Sequence, residues 1–238
     1  MATESVLVER PLLEVPEDLR PDVEHLVTED DTPVDNIFSE KQQRLLTEPL
    51  YHGPDWLGEG RSFIALANVG LFYAVRQPPY VPDVMLSLDV ELPEDLWPRT
   101  HRSYFVWEYG KPPDVIIEIV SNDEGQEDGE KRVDYARIGV RYYVIYDPLR
   151  ILSDQTVRGF GLQPTGYSPL PTPLRLAGVG LGLDLWHGRY EDHEDTWLRW
   201  TDEQGRLIPT GAECTAEQRQ RADRLAEQLR RLGVQPDV

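Results

Sequence analysis

Cys214 is the only cysteine in 238 residues. A single thiol excludes an internal disulfide and fits a reducing compartment. No apolar run exceeds the length of a strand, so no transmembrane helix is expected. The start of the chain, Met1-Ala-Thr-Glu-Ser5, has neither a basic segment nor an apolar core, so no secretion signal is expected. Together these absences predict a soluble, cytoplasmic protein. The five histidines, at 25, 52, 101, 187 and 193, show no metal-ligand spacing, and no zinc site is expected. No serine stands in a nucleophile-elbow context. The run Gly178-Val-Gly-Leu-Gly182 has no helix after it, which predicts a glycine-broken strand rather than a dinucleotide loop.

Positive charge is also scarce. Lys and Arg total 24 against 43 Asp and Glu, for a net charge of -19. A field of that sign opposes the approach of a polyanion, which disfavours a general, tight nucleic-acid coat but leaves room for a local basic site. Lysine is the rarest cation: Lys41, Lys111 and Lys131 stand against twenty-one arginines.

Along the chain, residues 1–34 are rich in Glu, Asp and Pro and read as an acidic arm. The main domain is expected over 35–200, and a turn with a C-terminal helix over 201–238. Within the domain, Ser39 is expected to cap a first helix that Pro49 ends. Ser62–Val75 reads as a long strand interrupted near Gly70. Tyr80–Val90 reads as a second strand with Pro82 at its edge. Tyr104–Trp107 reads as a short extra strand. Asp114–Ser121 has five large aliphatics and neither Gly nor Pro, which predicts a buried strand. A helix over Gly129–Ile138, stopped by Gly139, and a strand over Arg141–Tyr146 follow. So short a crossover predicts a parallel, right-handed strand–helix–strand unit, and the first three strands predict an antiparallel meander. The expected fold is α/β (α+β): a mixed sheet flanked by helices, then extra C-terminal strands and a C-terminal helix. In that helix Ala222, Leu225, Leu229 and Leu232 make a narrow stripe. It is expected to pack on the parent domain, with a coiled-coil homodimer seam as the alternative.

Glu118 is the anomaly of the buried strand, because a carboxylate there is costly to desolvate unless it is paired or bound to a metal. A structural ion pair with an arginine is one answer. The other begins at Pro82-Asp83, which opens the second strand. If the two strands are antiparallel, the start of one lies beside the end of the other, and both acids meet at one edge of the sheet. Two carboxylates with a backbone carbonyl suit a hard cation such as Mg²⁺ or Mn²⁺. Lys131, just inside the next helix, reaches the same end, with Tyr135 one turn on along its face. A metal, two acids and one lysine match the needs of phosphodiester hydrolysis. Asp114 shares the strand face of Glu118 but lies roughly 13 Å away, too far for one ion. Glu40 could make an outer contact from the first helix. Arg99, His101 and Arg102, near Trp97 and Tyr104, form a basic cluster able to contact a nucleic-acid backbone.

Pro82-Asp83, the block Pro112-Pro-Asp-Val-Ile-Ile-Glu-Ile-Val-Ser-Asn122, then Lys131-Arg-Val-Asp-Tyr-Ala-Arg-Ile-Gly-Val140 and Tyr142-Tyr-Val-Ile-Tyr-Asp-Pro148 resemble the PD-(D/E)xK nuclease superfamily. Within it they resemble the Uma-two group of restriction-endonuclease-like proteins, as do the later Leu185-Trp-His-Gly-Arg-Tyr190 and Trp197-Leu-Arg-Trp200. The resemblance spans roughly residues 35 to 233. It implies a nuclease fold and divalent metal binding by Asp83, Glu118 and the carbonyl of Ile119, with Lys131 as the electrostatic catalyst and DNA as substrate. The superfamily lysine usually sits two positions after the acid, where this chain has Val120; Lys131 on the following helix is the matching residue. Two other functions stay open: a catalytically silent, dimeric scaffold that keeps the nuclease fold, and a hydrolase of a smaller phosphodiester.

Overall fold

A computed structural model of the chain describes residues 36–52, 56–57, 61–121 and 127–232. The acidic arm expected over 1–34 and most of the acidic turn expected over 122–128 lie outside them. Helix α1 spans Ile37–His52, and strands β1 and β2 span Phe63–Ala67 and Leu71–Phe72. Strand β3 covers Val84–Leu88, β4 Tyr104–Phe105, the short α2 Val106–Tyr109 and β5 Val115–Ile119. Helix α3 is Glu130–Ile138 and β6 is Tyr142–Tyr146. Strands β7 to β11 are Val157–Gln163, Gly166–Pro169, Leu174–Leu176, Leu181–Tyr190 and His193–Thr201, and helix α4 is Gly211–Arg231.

Six strands form the main sheet in the order β1-β3-β5-β6-β7-β8. β3 runs antiparallel to both of its neighbours, β1 and β5, the expected meander. β5 and β6 are parallel and joined through α3, the expected crossover. All five residues of β3 and all five of β5 are buried, because both faces of the sheet are covered. One face carries Val84, Leu86, Val115, Ile117, Ile119 and Val144 against Leu46 and Leu50 of α1 and against Leu183, Leu198 and Trp200 of the second sheet, β11-β10-β9. The other carries Met85, Ile116, Tyr143 and Ile145, covered by Tyr135 and Ile138 of α3. In the second sheet Gly182 has a structural reason. A Cβ there would sit 2.6 Å from both the Leu174 carbonyl oxygen and Thr201 Oγ1, so only glycine lets β9, β10 and β11 close up.

Several expectations need correction. Asn36, not Ser39, caps α1: its Oδ1 accepts the Ser39 N–H at 3.0 Å. Pro49 lies inside the helix, which runs on to His52; beside it the Trp200 indole donates to the Leu46 carbonyl at 2.7 Å. The strand over 62–75 is interrupted near Gly70 as expected but ends at Phe72; the break starts at Asn68, whose φ of 53° turns the chain, a geometry asparagine is among the few residues to accept. β3 begins only at Val84, after Pro82, and Tyr80 keeps just an isolated bridge to Leu71. The Tyr104–Trp107 strand stops after two residues and turns into α2.

The stripe of α4 does not pack on the domain. Its first turn is tied down: a Thr210–Glu213 capping box closes it, and the Gly211 N–H reaches Glu48 at 3.2 Å. Arg199, buried on β11, pairs with Glu213 at 2.6 Å. Beyond that turn the helix leaves the body, no residue of it is buried, and Leu225, Leu229 and Leu232 are exposed. Among the described residues no helix is long and apolar enough to cross a membrane.

Candidate active site

The pairing Val84↔Ile117 sets the position of Asp83. Continued by one residue, that register places Asp83 across from Glu118, and directly opposed residues of antiparallel strands lie about 5 Å apart. The Asp83 carboxylate is fixed from two sides. Oδ2 accepts the Ile119 N–H at 2.6 Å, and Oδ1 accepts the side-chain amide of Gln43 at 2.9 Å. Gln43 is in turn locked by a reciprocal amide pair with Asn68, at 2.9 and 3.2 Å. An acid held in this way cannot swing out into solvent.

Glu118 is 2 % exposed. The Lys131 ammonium donates to its Oε2 at 3.1 Å, and the Tyr135 hydroxyl donates to its Oε1 at 2.7 Å. Both donors come from α3, where a spacing of four residues puts them on one face. The Tyr135 ring is clamped between Tyr80 and Tyr143, each 5.2 Å away, which aims the hydroxyl at the acid. Lys131 also donates to Glu127 Oε1 at 3.4 Å. The ammonium is therefore shared between two carboxylates. Val120, where the superfamily lysine usually stands, is packed in the apolar cluster under α3.

The electrostatics of the site follow from its burial and its acids. Asp83, Glu118 and Glu127 are 8 %, 2 % and 7 % exposed, and Lys131 is the ammonium bonded among them. Burial pushes the Glu118 carboxyl above its usual range, although Lys131 and Tyr135 oppose the shift and Glu127 adds to it. Burial alone would lower Lys131, but Glu118 and Glu127 outweigh it, Asp83 adds to them, and the ammonium is held above its usual value. Burial acts in opposite directions on the two groups, and what they share is the neighbouring charge of Glu127, which raises both. A divalent cation answers that charge as a proton would. Among the described residues no three His, Cys, Asp or Glu side chains could enclose an ion by themselves. Two carboxylates with water and substrate oxygens completing the shell is the arrangement Mg²⁺ favours. The donor set fits.

The structure thus brings Asp83, Glu118, Ile119 and Lys131 together. Asp114 stays at the far end of β5, where Lys111 and the Leu88 N–H hold its Oδ2. Glu40 faces solvent and pairs with Arg44; Gln43, one turn further on, makes the contact from α1. Arg99 and His101 lie in a 3-10 turn, Trp97 is exposed, and Tyr104 is buried against Tyr109, which withdraws it from any surface contact. Gln43 and Glu127 were not anticipated. The signal for Gln43 was a polar residue in register with Leu46 and Leu50 on the apolar face of α1. For Glu127 it was the spacing of four to Lys131.

No curated protein matches the chain. A family model described as "Putative restriction endonuclease", Uma2, matches residues 29–185, more than half of the chain and the whole of the site. The mixed sheet with its flanking helices is a restriction-endonuclease-like core. With the family model spanning Asp83, Glu118 and Lys131 alike, the chain belongs to the Uma2 family.

Proposed function

We propose that the protein is a Mg²⁺- or Mn²⁺-dependent endonuclease that hydrolyses DNA phosphodiester bonds. Asp83, Glu118 and the Ile119 carbonyl would hold the ion. When bound, it supplies Lewis acidity and a more acidic water. Asp83 stays oriented by Ile119 and Gln43, so the ligand geometry is set before substrate arrives. Tyr135 fixes one oxygen of Glu118 and leaves the other facing Lys131. Lys131 offsets charge on the phosphate oxygens as water adds to phosphorus and the bond to the leaving sugar oxygen breaks. The observation that carries this function is the meeting of Glu118 with Lys131 at 3.1 Å, opposite the immobilised Asp83.

The test is cleavage of single- and double-stranded DNA in Mn²⁺, comparing the natural chain with Glu118→Ala and Lys131→Ala. Loss of cleavage in both variants, with unchanged circular dichroism, supports the proposal. Equal cleavage by all three removes these residues from the mechanism.

A dimeric, catalytically silent scaffold is favoured by two observations, the net charge of -19 and the uncovered leucines of α4. The charge also favours a smaller phosphodiester over a duplex. Calorimetry separates the scaffold from the enzyme: absence of Mn²⁺ binding at millimolar concentration supports the scaffold. We also propose that α4 pairs two copies of the chain whichever activity holds.

A further inference from the structure

Glu127 is built into the site without a part in the chemistry just described. Its residue is 7 % exposed, and its Oε2 is buried with no hydrogen-bond partner among the described residues. It stands in the turn before α3, yet it is anchored to the sheet. Its main-chain carbonyl accepts the Tyr143 hydroxyl at 2.8 Å, and the next residue, Asp128, is held by Arg132 at 2.9 Å and by Arg158. Its other oxygen, Oε1, accepts from Lys131 at 3.4 Å, while the same ammonium lies 3.1 Å from Glu118 Oε2. Lys131 therefore stands between two acids, one of them a proposed metal ligand and the other carrying a spare oxygen.

Resting on the metal site proposed above, we propose that Glu127 is a positioning residue that receives the Lys131 ammonium when Glu118 is taken up by a divalent cation. The geometry supplies such a receiver. Lys131 occupies Glu118 Oε2, so an ion claiming that oxygen displaces the ammonium, and two positive charges side by side in a half-buried site repel strongly. The ammonium cannot retreat into α3, whose buried face is apolar and aromatic. A short rotation toward Glu127 instead gives it both oxygens of an anchored carboxylate. It stays charged and within reach of the phosphate. Without Glu127 the ammonium has, among the described residues, only Glu118 as an ion-pair partner and competes with the cation for it.

The test is a double-mutant cycle read by calorimetry with Mn²⁺ alone, on the full chain, comparing wild type, Glu127→Gln, Lys131→Met and the double variant. Glu127→Gln is expected to weaken Mn²⁺ binding about tenfold in the wild-type background and less than about twofold in the Lys131→Met background. Lys131→Met alone should bind at least as tightly as wild type. Equal weakening in both backgrounds means that Glu127 acts only as a nearby negative charge, and overturns the proposal, as does the absence of any effect in wild type. Failure of the wild type itself to bind Mn²⁺ is a different result, which removes the metal site and this role together. A second arm does not depend on the variants folding. A crystal structure of the wild-type chain with Mn²⁺ should show Lys131 Nζ within hydrogen-bond distance of both Glu127 oxygens and clear of Glu118. An ammonium still on Glu118 beside bound Mn²⁺ overturns the proposal.

Discussion

The Asp83 carboxylate accepts the main-chain N–H of Ile119 at 2.6 Å, which locks the acid at the mouth of β3 onto the residue that follows Glu118. The two acids are thereby joined through backbone, and the spacing between them is a property of the sheet rather than of two flexible side chains. The remaining oxygen faces the NH₂ of Gln43, whose orientation is set by Asn68.

Asp83→Asn should therefore cost more than an isosteric change suggests. The new amide can keep its oxygen on Ile119 only by turning its NH₂ toward the NH₂ of Gln43, a clash that only a joint flip of the Gln43 and Asn68 amides relieves. About 1–2 kcal/mol of stability should be lost, as for one unsatisfied buried donor. Urea denaturation without metal measures it; unchanged stability would mean that the Gln43–Asn68 pair is loose.

Glu118→Gln should behave in the opposite way. Lys131 keeps Glu127, and a neutral amide relieves the surplus of buried negative charge, so the metal-free variant should be no less stable than the natural chain. The pH dependence has a definite sign. Because the folded-state value of Glu118 is raised, its contribution is present below the unfolded value of 4.5 and is lost as pH rises through the folded one. The variant's stability should accordingly fall less than the wild type's from pH 4.5 upward. Melting curves across that range, with and without Mn²⁺, test both points, and the stabilisation by Mn²⁺ should vanish in the variant.

Tyr135→Phe removes the donor to Glu118 Oε1 and leaves a buried carboxylate oxygen unmet. A loss of about 1–2 kcal/mol is expected, with the fold retained because the ring still packs between Tyr80 and Tyr143. Near-ultraviolet circular dichroism with chemical denaturation would reveal a larger structural change.

The attachment of α4 should be acid-labile. Burial would raise Glu213, but hydrogen bonds from Arg199 and Thr210 outweigh it and hold the carboxyl below its usual value. A depressed acid stabilises above its unfolded value, here 4.5, and loses that contribution as pH falls through the folded value. Hydrogen-exchange protection in residues 211–216 should fall as pH drops below 4.5, ahead of that in the sheet. Glu213→Ala should reproduce the effect at neutral pH at a cost of about 2 kcal/mol, discounted for the half-exposed carboxylate.

The leucines of α4 should mediate self-association. Sedimentation velocity is expected to show a dimer for the natural chain and a monomer for the double variant Leu225→Asp, Leu229→Asp, with the melting temperature of the domain unchanged. A natural chain that sediments as a monomer at high concentration would refute this role.

The β5–α3–β6 unit was legible because long apolar runs bounded by Gly and Pro announce buried strands, and Glu118 was conspicuous among them. The convergence of Asp83 and Lys131 with it followed from strand direction and helical spacing. Strands β7 and β8 were not individually legible: Val-Arg-Gly-Phe-Gly-Leu-Gln and Gly-Tyr-Ser-Pro mix glycine and polar residues without a clean alternation. Gln43 was hidden because its bond to Asp83 spans forty residues, and local periodicity carries no information about such a partner. For α4, the stripe shows that a side is apolar but not whether the domain lies under it.

Glu118 pairs with Ile145, and Ile145 with Arg158, so the row of the site runs on across β6 and β7. A slip of one residue anywhere along that row would turn the acids and the core to opposite sides together. Chemistry and folding thus share one alignment, and the strands are not free to shift their polar groups. The helix is under no such rule, since a connecting turn can lengthen or shorten without disturbing the pleat. Under the proposed function, the cation that Val120 does not supply from the strand comes from Lys131 on α3, an element whose position the pleat does not dictate.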